Sequence, residues 1–387
     1  MKRMETAVHF GAGKIGRGFI AELLHDTGYR IVFADVVDAL VNLINEDHEY
    51  YLFEIENDYK EKKIDNILAY SSITEADQVI KEINQAKVIT TSVMATNLAK
   101  IAPLLAKGLK SRVSQGKEKV VVMACENAMH GTDILVQAML DSGEITQAEL
   151  DEVGIYPNTA VDRMVFDGEH NGHKGIDIGV NYELAIEKDK LGDFEPIKGA
   201  EYTSDLDRHL QRKIYMINCG HAISAYIGYA NGKDIVQDVL NDPELVQEVR
   251  KAVMESASAL EKEYGFSHES LVDYCENMFI KRFGNPNTHD EGARVGREPI
   301  RKISYNDRIM GPANMCEKYG LDNSALLKGV AYALHFYNEN DAQAIELQES
   351  IKENGLEKTI EKYVGLKPED RMFKVIVQEY NAIEMKR

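Results

Sequence analysis

The chain has 387 residues, enough for two domains with separate cores, and its hydrophobic fraction of 44% is that of an ordinary globular protein. A formal net charge of −19 disfavours nucleic acid and anionic membrane surfaces as partners, and no run approaches the roughly 18 apolar residues of a membrane span. Four widely spaced cysteines, Cys125, Cys219, Cys275 and Cys316, show no CxxC pairing, so neither a zinc site nor a disulfide framework is indicated. The amino terminus leads directly into a strand, leaving no room for a signal peptide. A reduced, cytoplasmic setting is expected, with no obligatory protein partner evident.

Thr6 to Phe10 reads as a short buried strand. It is followed by Gly11-Ala12-Gly13-Lys14-Ile15-Gly16, an amphipathic helix to about Asp26 ended by Gly28, and a second strand, Arg30 to Asp35. In this strand, G-x-G-x-x-G, helix, strand order, Gly11 permits a tight turn, Gly13 lets backbone approach a pyrophosphate, and Gly16 lets helix pack on strand. The helix N-terminus offers free N–H groups and a positive dipole end to phosphates. Asp35, 19 residues after Gly16, can accept both ribose hydroxyls and would repel a 2′-phosphate, so the expected cofactor is NAD. Lys14 and Arg17 can add charge near the phosphates or simply be solvated.

Tyr50 to Tyr70 is charged and strand-like and reads as an antiparallel excursion. Its Tyr59 and Lys63 make a Y-x-x-x-K spacing within surface charge and are not read as a catalytic pair. Alternation then resumes with a helix over about Glu75 to Gln85, a strand Lys87 to Val93, and a helix over about Asn97 to Val113. A strand Lys119 to Cys125 follows, ending in Glu126-Asn127, and then a helix over about Thr132 to Ser142. Such alternation implies a Rossmann-like, doubly wound parallel sheet, whose ligands bind beyond the carboxyl ends of the strands. Thr91, Ser92 and Asn127 fall at those ends, as candidate cofactor neighbours or as turn formers.

Pro157 and Asn158 interrupt regular structure before Asp162 and Arg163, which can pair with each other or with neighbours. Ile176 to Ile186 alternates like a strand. Gly192, Pro196 and Gly199 place the domain boundary near residue 195: a dinucleotide domain over 1–195 and a mainly α-helical substrate domain over 196–387. Helices are expected over about Asp234 to Gly265, Leu271 to Phe283 and Ala325 to Asn340, with surface helices in the alternately charged tail from Ile345 to Lys386.

The apolar helical run from Leu206 to Tyr229 carries Lys213, Asn218, Gly220 and His221. A lysine can act as a base when burial or nearby charge lowers its pKa. An asparagine can donate to a developing oxyanion, a histidine can orient a hydroxyl, and Gly220 would admit a ligand or a second backbone. At about 100° per residue, Lys213, Asn218 and His221 fan over an arc of about 140°, with a rise of about 12 Å from Lys213 to His221. A buried helix with one snorkelling lysine and two hydrogen-bonded polar residues satisfies the same pattern. Further on, Arg282, Arg294, Arg297, Arg301, Lys302 and Arg308 form a basic segment broken by Gly, Pro and Asn. It reads as a loop region able to wrap an anion, with Pro299 favouring a loop over a helix.

With the glycine loop, the Tyr156-Pro157-Asn158 to Arg163 stretch, K-x4-N-x2-H at Lys213 to His221, and the segment Arg294 to Ser304 in view, the chain resembles the polyol-specific long-chain dehydrogenases over essentially its whole length. The K-x4-N-x2-H element is the specific part. The resemblance implies zinc-independent hydride transfer between NAD and a sugar alcohol, with no metal. It implies Lys213 as general base, Asn158 and Asn218 holding the reacting oxygen, and His221 positioning the substrate or tuning Lys213. The greatest likeness is to members acting on a polyol phosphate, with Arg297 and Arg301 the preferred phosphate ligands and Arg294 and Arg308 the lesser ones. An unphosphorylated polyol or a hexuronate would use the same catalytic set. A non-catalytic NAD-binding sensor would have no need of a base beside an oxyanion pocket.

Overall fold

Short, largely apolar runs rich in β-branched residues build the first sheet, seen in a computed structural model that describes residues 4–386. In chain order the strands are β1 (Thr6–Phe10), β2 (Arg30–Asp35), β3 (Tyr50–Glu54), β4 (Lys60–Ile64), β5 (Ile67–Ser71) and β6 (Ala86–Thr91). They continue with β7 (Val120–Ala124), β8 (Gly154–Ile155), β9 (Thr159–His170), β10 (His173–Glu187) and β11 (Glu201–Thr203). Six make a parallel sheet in the order β5-β2-β1-β6-β7-β8, the doubly wound order of dinucleotide-binding domains. Alternation sends Ala7, Ile31 and Phe33 to one face and Val8, Phe10 and Val32 to the other, and both faces are covered. The topology reverses between β1 and β6, so the crevice beyond their carboxyl ends is the expected ligand position.

Two expectations change here. Ile67–Ser71 does not belong to an antiparallel excursion: β3 and β4 do pair antiparallel, but β5 leaves them and joins β2 in parallel. A second sheet, β11-β10-β3-β4 with β9 paired to β10, was only partly anticipated. The β9–β10 hairpin turns at Asn171-Gly172, both at positive φ (55° and 82°), as a two-residue turn compatible with strand twist requires. Leu52, Ile64, Ile176 and Ile178 of this sheet share a core with Phe19, Ile20, Leu23 and Leu24. The helix after the glycine loop is therefore packed between the two sheets.

By its internal contacts the chain divides into a unit ending at His209 and another beginning at Leu210. Residues 196–209 hold to the first unit. Tyr29 Oη donates to the Pro196 carbonyl at 3.0 Å, Lys198 N donates to Thr27 Oγ1 at 2.9 Å, β11 pairs with β10, and His209 Nδ1 lies 3.0 Å from Glu183 Oε1.

The second unit is helical. Cys219–Ala230 runs through its core beside Leu245–Tyr264 and Ser324–His335. Tyr226, fully buried, donates from Oη to the Gly296 carbonyl at 3.0 Å. The tail helices Ala342–Asn354, Leu356–Tyr363 and Arg371–Ala382 are amphipathic, burying Leu347, Ile360, Phe373 and Ile376 in the same core. Among the described residues no helix is long and apolar enough to cross a membrane.

Candidate active site

In the first unit the candidate cofactor residues gather at the carboxyl ends of β1, β2, β6 and β7. Gly11 has φ of 103°, and a Cβ there would lie 2.5 Å from the Ser92 carbonyl oxygen, so both conformation and space demand glycine. Gly13 has nothing within 4 Å of a Cβ position, whereas a Cβ on Gly16 would meet the Gly11 carbonyl oxygen at 2.1 Å. The first therefore faces open space suited to a pyrophosphate, and the second is a packing glycine. Lys14 is exposed and pairs with Asp167 at 3.0 Å. Ile15 is exposed beside it. Asp35 accepts from Ala12 N at 2.5 Å and from Val37 N at 2.8 Å, which ties the carboxylate to the loop it would serve.

Beneath the loop, fully buried His9 lies 2.7 Å from Thr90 Oγ1 through Nδ1 and 2.7 Å from Ser92 Oγ through Nε2. Burial pulls its pKa down to about 3 against a weaker opposing hydrogen bond to Gly11, so the imidazole is neutral and orients both hydroxyls. Thr91 Oγ1 and Val93 N donate to Glu126 Oε1 at 2.6 and 2.9 Å. Asn127 is exposed at the end of β7.

Sequence reasoning passed over His9 and Glu126, although each is a titratable residue at or within an otherwise apolar strand. It also passed over an apolar rim by Asp35: Val36, Val37 and Ile73 are 57%, 47% and 68% exposed, a surface suited to a flat base. Met94, just after β6, holds φ of 72°, at a cost of about 1–3 kcal/mol.

Asn158 also belongs to the first unit, and its side chain is committed there. Oδ1 accepts from Thr132 N and Asp133 N at 3.1 and 3.2 Å, at the start of helix Gly131–Asp141, and Nδ2 donates to Asp133 Oδ2 at 2.9 Å. The side chain expected to hold the reacting oxygen here has its carbonyl on helix N–H groups and one of its two Nδ2 protons on Asp133.

In the second unit Lys213–Asn218 is not α-helical. It forms a π-helical segment, with Cys219 N donating to the Ile214 carbonyl five residues back. Wide turns of this kind concentrate at functional sites. Because each residue turns through less than 100°, the arc between Lys213 and Asn218 is narrower than an α-helix would give. Gly220 does not admit a ligand: a Cβ there would lie 2.5 Å from Phe279 Cε1 and 2.7 Å from Val253 Cγ2, so it is a glycine of core packing.

His221 Nε2 lies 2.9 Å from Asp290 Oδ2, and its ring is 4.5 Å from that of Phe283. Burial holds the His221 pKa below its ordinary value, Asp290 opposes this, and the charges of Arg294 and Lys302 add to the lowering. Burial alone would raise Asp290, but the hydrogen bonds and charges of His221 and Arg294 leave it below the usual range. A neutral His221 donating to Asp290 keeps Nδ1 as an acceptor for a hydroxyl.

The basic segment is helical in two short pieces, Gly292–Val295 and Pro299–Lys302. Pro299 opens the second piece rather than enforcing a loop, because proline is well placed at a first helical position. Glu298, at φ of 59°, breaks the chain between them, so Arg297 and Arg301 do not share a helix face.

Arg294 pairs with Asp290, Arg301 with Glu298, and Arg308 with Asp307. Arg297 has no ion pair among the described residues, and its Nε donates to the Arg294 carbonyl at 3.2 Å. Lys302, which sequence reasoning placed in the basic run without assigning it a role, is 6% exposed and donates to the Val295 carbonyl. Burial, aided by Arg308 and Arg301, lowers its pKa to about 7. A lysine flanked by Arg301 and Ile303 gives no local signal of that burial.

A glycine-loop crevice and a lysine–asparagine–histidine helix beside a cationic patch together define an NAD-type dehydrogenase architecture with a helical second unit. Family models bear this out: residues 5–197 match the mannitol dehydrogenase Rossmann domain and residues 205–384 the mannitol dehydrogenase C-terminal domain. The chain belongs to the mannitol dehydrogenase family.

Within it, the chain is 39% identical over 386 residues to mannitol-1-phosphate 5-dehydrogenase of Thermoanaerobacter pseudethanolicus, covering 98% of each chain. It is 37% identical over 381 residues to the enzyme of the same name from Geobacillus stearothermophilus, covering 98% of this chain and 100% of that one. Among solved structures, substrate-free D-sorbitol dehydrogenase superposes with a TM-score of 0.81 at 15% identity, covering 98% of this chain and 93% of that one. Pseudomonas fluorescens mannitol 2-dehydrogenase, in ternary complex with NAD and D-mannitol, gives 0.71 at 18% identity, covering 98% and 92%. At such identities these two likenesses speak for the fold.

Proposed function

We propose that this chain interconverts D-mannitol 1-phosphate and D-fructose 6-phosphate with NAD as the hydride carrier. The observation that carries the reading is the end-to-end match to relatives named mannitol-1-phosphate 5-dehydrogenase, at 37–39% identity for the two described. The residues fit the cofactor: open space over Gly13 for a pyrophosphate, Asp35 beside it for the ribose, and the apolar rim of Val36, Val37 and Ile73 for the base. When bound, the dinucleotide supplies or accepts the hydride.

In this reading Lys213 takes the proton of the substrate hydroxyl during oxidation and returns it during reduction. Asn218 donates to the same oxygen, where charge develops. His221, fixed by Asp290, receives a neighbouring hydroxyl on Nδ1. Asn158 supports the reaction from the first unit by anchoring helix Gly131–Asp141, and any contact with substrate would come from its remaining Nδ2 proton. Arg297 and Lys302 lead in holding the phosphate. Arg294, Arg301 and Arg308 share their charge with carboxylates already bound to them.

That prior pairing of three arginines favours a second reading, an unphosphorylated polyol or hexuronate as substrate. NADH oxidation measured side by side with fructose 6-phosphate, fructose and fructuronate decides. The proposal expects fructose 6-phosphate to have by far the highest kcat/KM, and equal or better use of either other compound rejects it.

A further inference from the structure

The turn that follows Gly16 is wide. Over Gly16–Ile20 the chain is π-helical, Ala21 N donating to the Gly16 carbonyl five residues back. An isolated helix does not favour such a turn, so something must hold it. Its carbonyls are held by side chains of the second sheet: Tyr50 Oη, from β3, donates to the Arg17 carbonyl at 2.6 Å, and Arg163 Nη1, from β9, donates to the Gly18 carbonyl at 3.2 Å. Arg163 also donates to Glu22 of the same helix and, through Nε, to the Gly179 carbonyl at 2.8 Å. Glu22 Oε1 in turn accepts from Lys62 Nζ of β4 at 2.8 Å.

The Arg163 and Glu22 side chains are 3% and 7% exposed, and the guanidinium lies over the rings of Phe19 and Tyr182 at 5.6 and 5.2 Å. Gly18 brings the turn against the sheet, since a Cβ there would lie 2.6 Å from Ile176 Cγ2. A buried ion pair is a poor source of stability compared with apolar packing of the same volume; its demonstrated use is to select one arrangement. The arrangement selected here is the wide turn, and with it the register of the Gly11–Gly16 loop.

We propose that Arg163, acting with Glu22 and Tyr50, is a positioning residue for the dinucleotide. It fixes the turn after Gly16 from the second sheet and so sets the backbone N–H groups that receive the pyrophosphate. The inference rests on the NAD reading above and adds to it a function for the second sheet. Each N–H that loses its alignment forfeits a hydrogen bond to a charged group, about 1.5–3 kcal/mol, or tenfold and more in affinity.

Calorimetric titration of the full chain with NADH and with ADP-ribose tests it, next to kcat at saturating NADH. Arg163→Met should raise both dissociation constants about tenfold or more while kcat at saturation changes less than about threefold. Arg163→Lys should recover part of the loss. Glu22→Gln should weaken binding likewise, and the double variant should be no worse than the poorer single one.

Undiminished affinity in Arg163→Met, or losses that simply add in the double variant, overturns the proposal. If Arg163→Met does not fold, Tyr50→Phe decides. It removes only the bond to the Arg17 carbonyl and should weaken NADH a few-fold; an unchanged constant there overturns the proposal. A wild-type protein that bound no NADH would remove the NAD reading itself, an outcome distinct from either of these.

Discussion

Replacing Lys302 by methionine should stabilise the helical unit and weaken substrate binding together. Lys302 is 6% exposed and its ammonium shares its surroundings with Arg301 and Arg308, and its pKa falls from 10.5 in water to about 7. At about 1.36 kcal/mol per pKa unit, the charged form is disfavoured by at most about 5 kcal/mol. Methionine removes that penalty but leaves the Val295 carbonyl without its donor, which costs about 1–3 kcal/mol. Below pH 7 the variant should therefore be more stable by roughly 2–4 kcal/mol.

The pH dependence is the cleaner quantity, because the lost hydrogen bond contributes equally at every pH. The folded-state pKa lies below the unfolded one. Between about pH 7 and 10.5 the unfolded chain holds a proton that the folded chain lacks, and wild-type stability rises with pH across that window. Because the folded lysine is still half protonated at pH 7, the variant's advantage should accordingly shrink by about 2.3 kcal/mol from pH 7 to pH 9. Urea denaturation of both proteins at pH 6, 7 and 9 measures it. An advantage that is flat in pH, grows with pH or is negative at pH 6 would mean that Lys302 is not a buried cation of lowered pKa. In the same variant KM for fructose 6-phosphate should rise about tenfold or more, the worth of one charge-assisted hydrogen bond.

Lys213→Ala should lower kcat by about 10²–10⁴-fold, the usual contribution of a general base, while calorimetric NADH binding survives; near-normal turnover would displace Lys213, and loss of wild-type activity in a chelator would contradict metal-free chemistry. Asp35→Ser should raise the ratio of kcat/KM for NADP over NAD about tenfold or more by removing like-charge repulsion at the 2′-phosphate; an unchanged ratio would place the ribose elsewhere. Arg297→Ala should raise KM for fructose 6-phosphate about tenfold and leave the weak reaction with fructose unaltered. Equal losses on both substrates would mean a structural role, and no change on either would move the phosphate away from Arg297.

The glycine loop, the parallel sheet and the helical second half were legible in the sequence because each rests on local causes. Gly11 needs a positive φ, near-continuous apolar runs need two covered faces, and strand–helix alternation leaves few topologies open. The Asn171-Gly172 turn was equally local and was overlooked. The contact-defined first unit runs on to His209, because β11 looks like loop until it finds β10. What tertiary structure alone decided is where the chain departs from regular geometry and where its charges go. The wide turns at Gly16–Ile20 and Lys213–Asn218 have no sequence period of their own, and the first is held by the side chains of Tyr50 and Arg163 rather than by local propensity. Gly220 reads as an opening until Phe279 and Val253 fill the space. Asn158 is occupied by helix N–H groups, and Arg294, Arg301 and Arg308 by carboxylates. Lys302, one more cation in a basic run, becomes a lysine of pKa about 7. Protonation and hydrogen-bond occupancy depend on the solvent each group loses and the partner it meets, and both are set by residues distant in the chain.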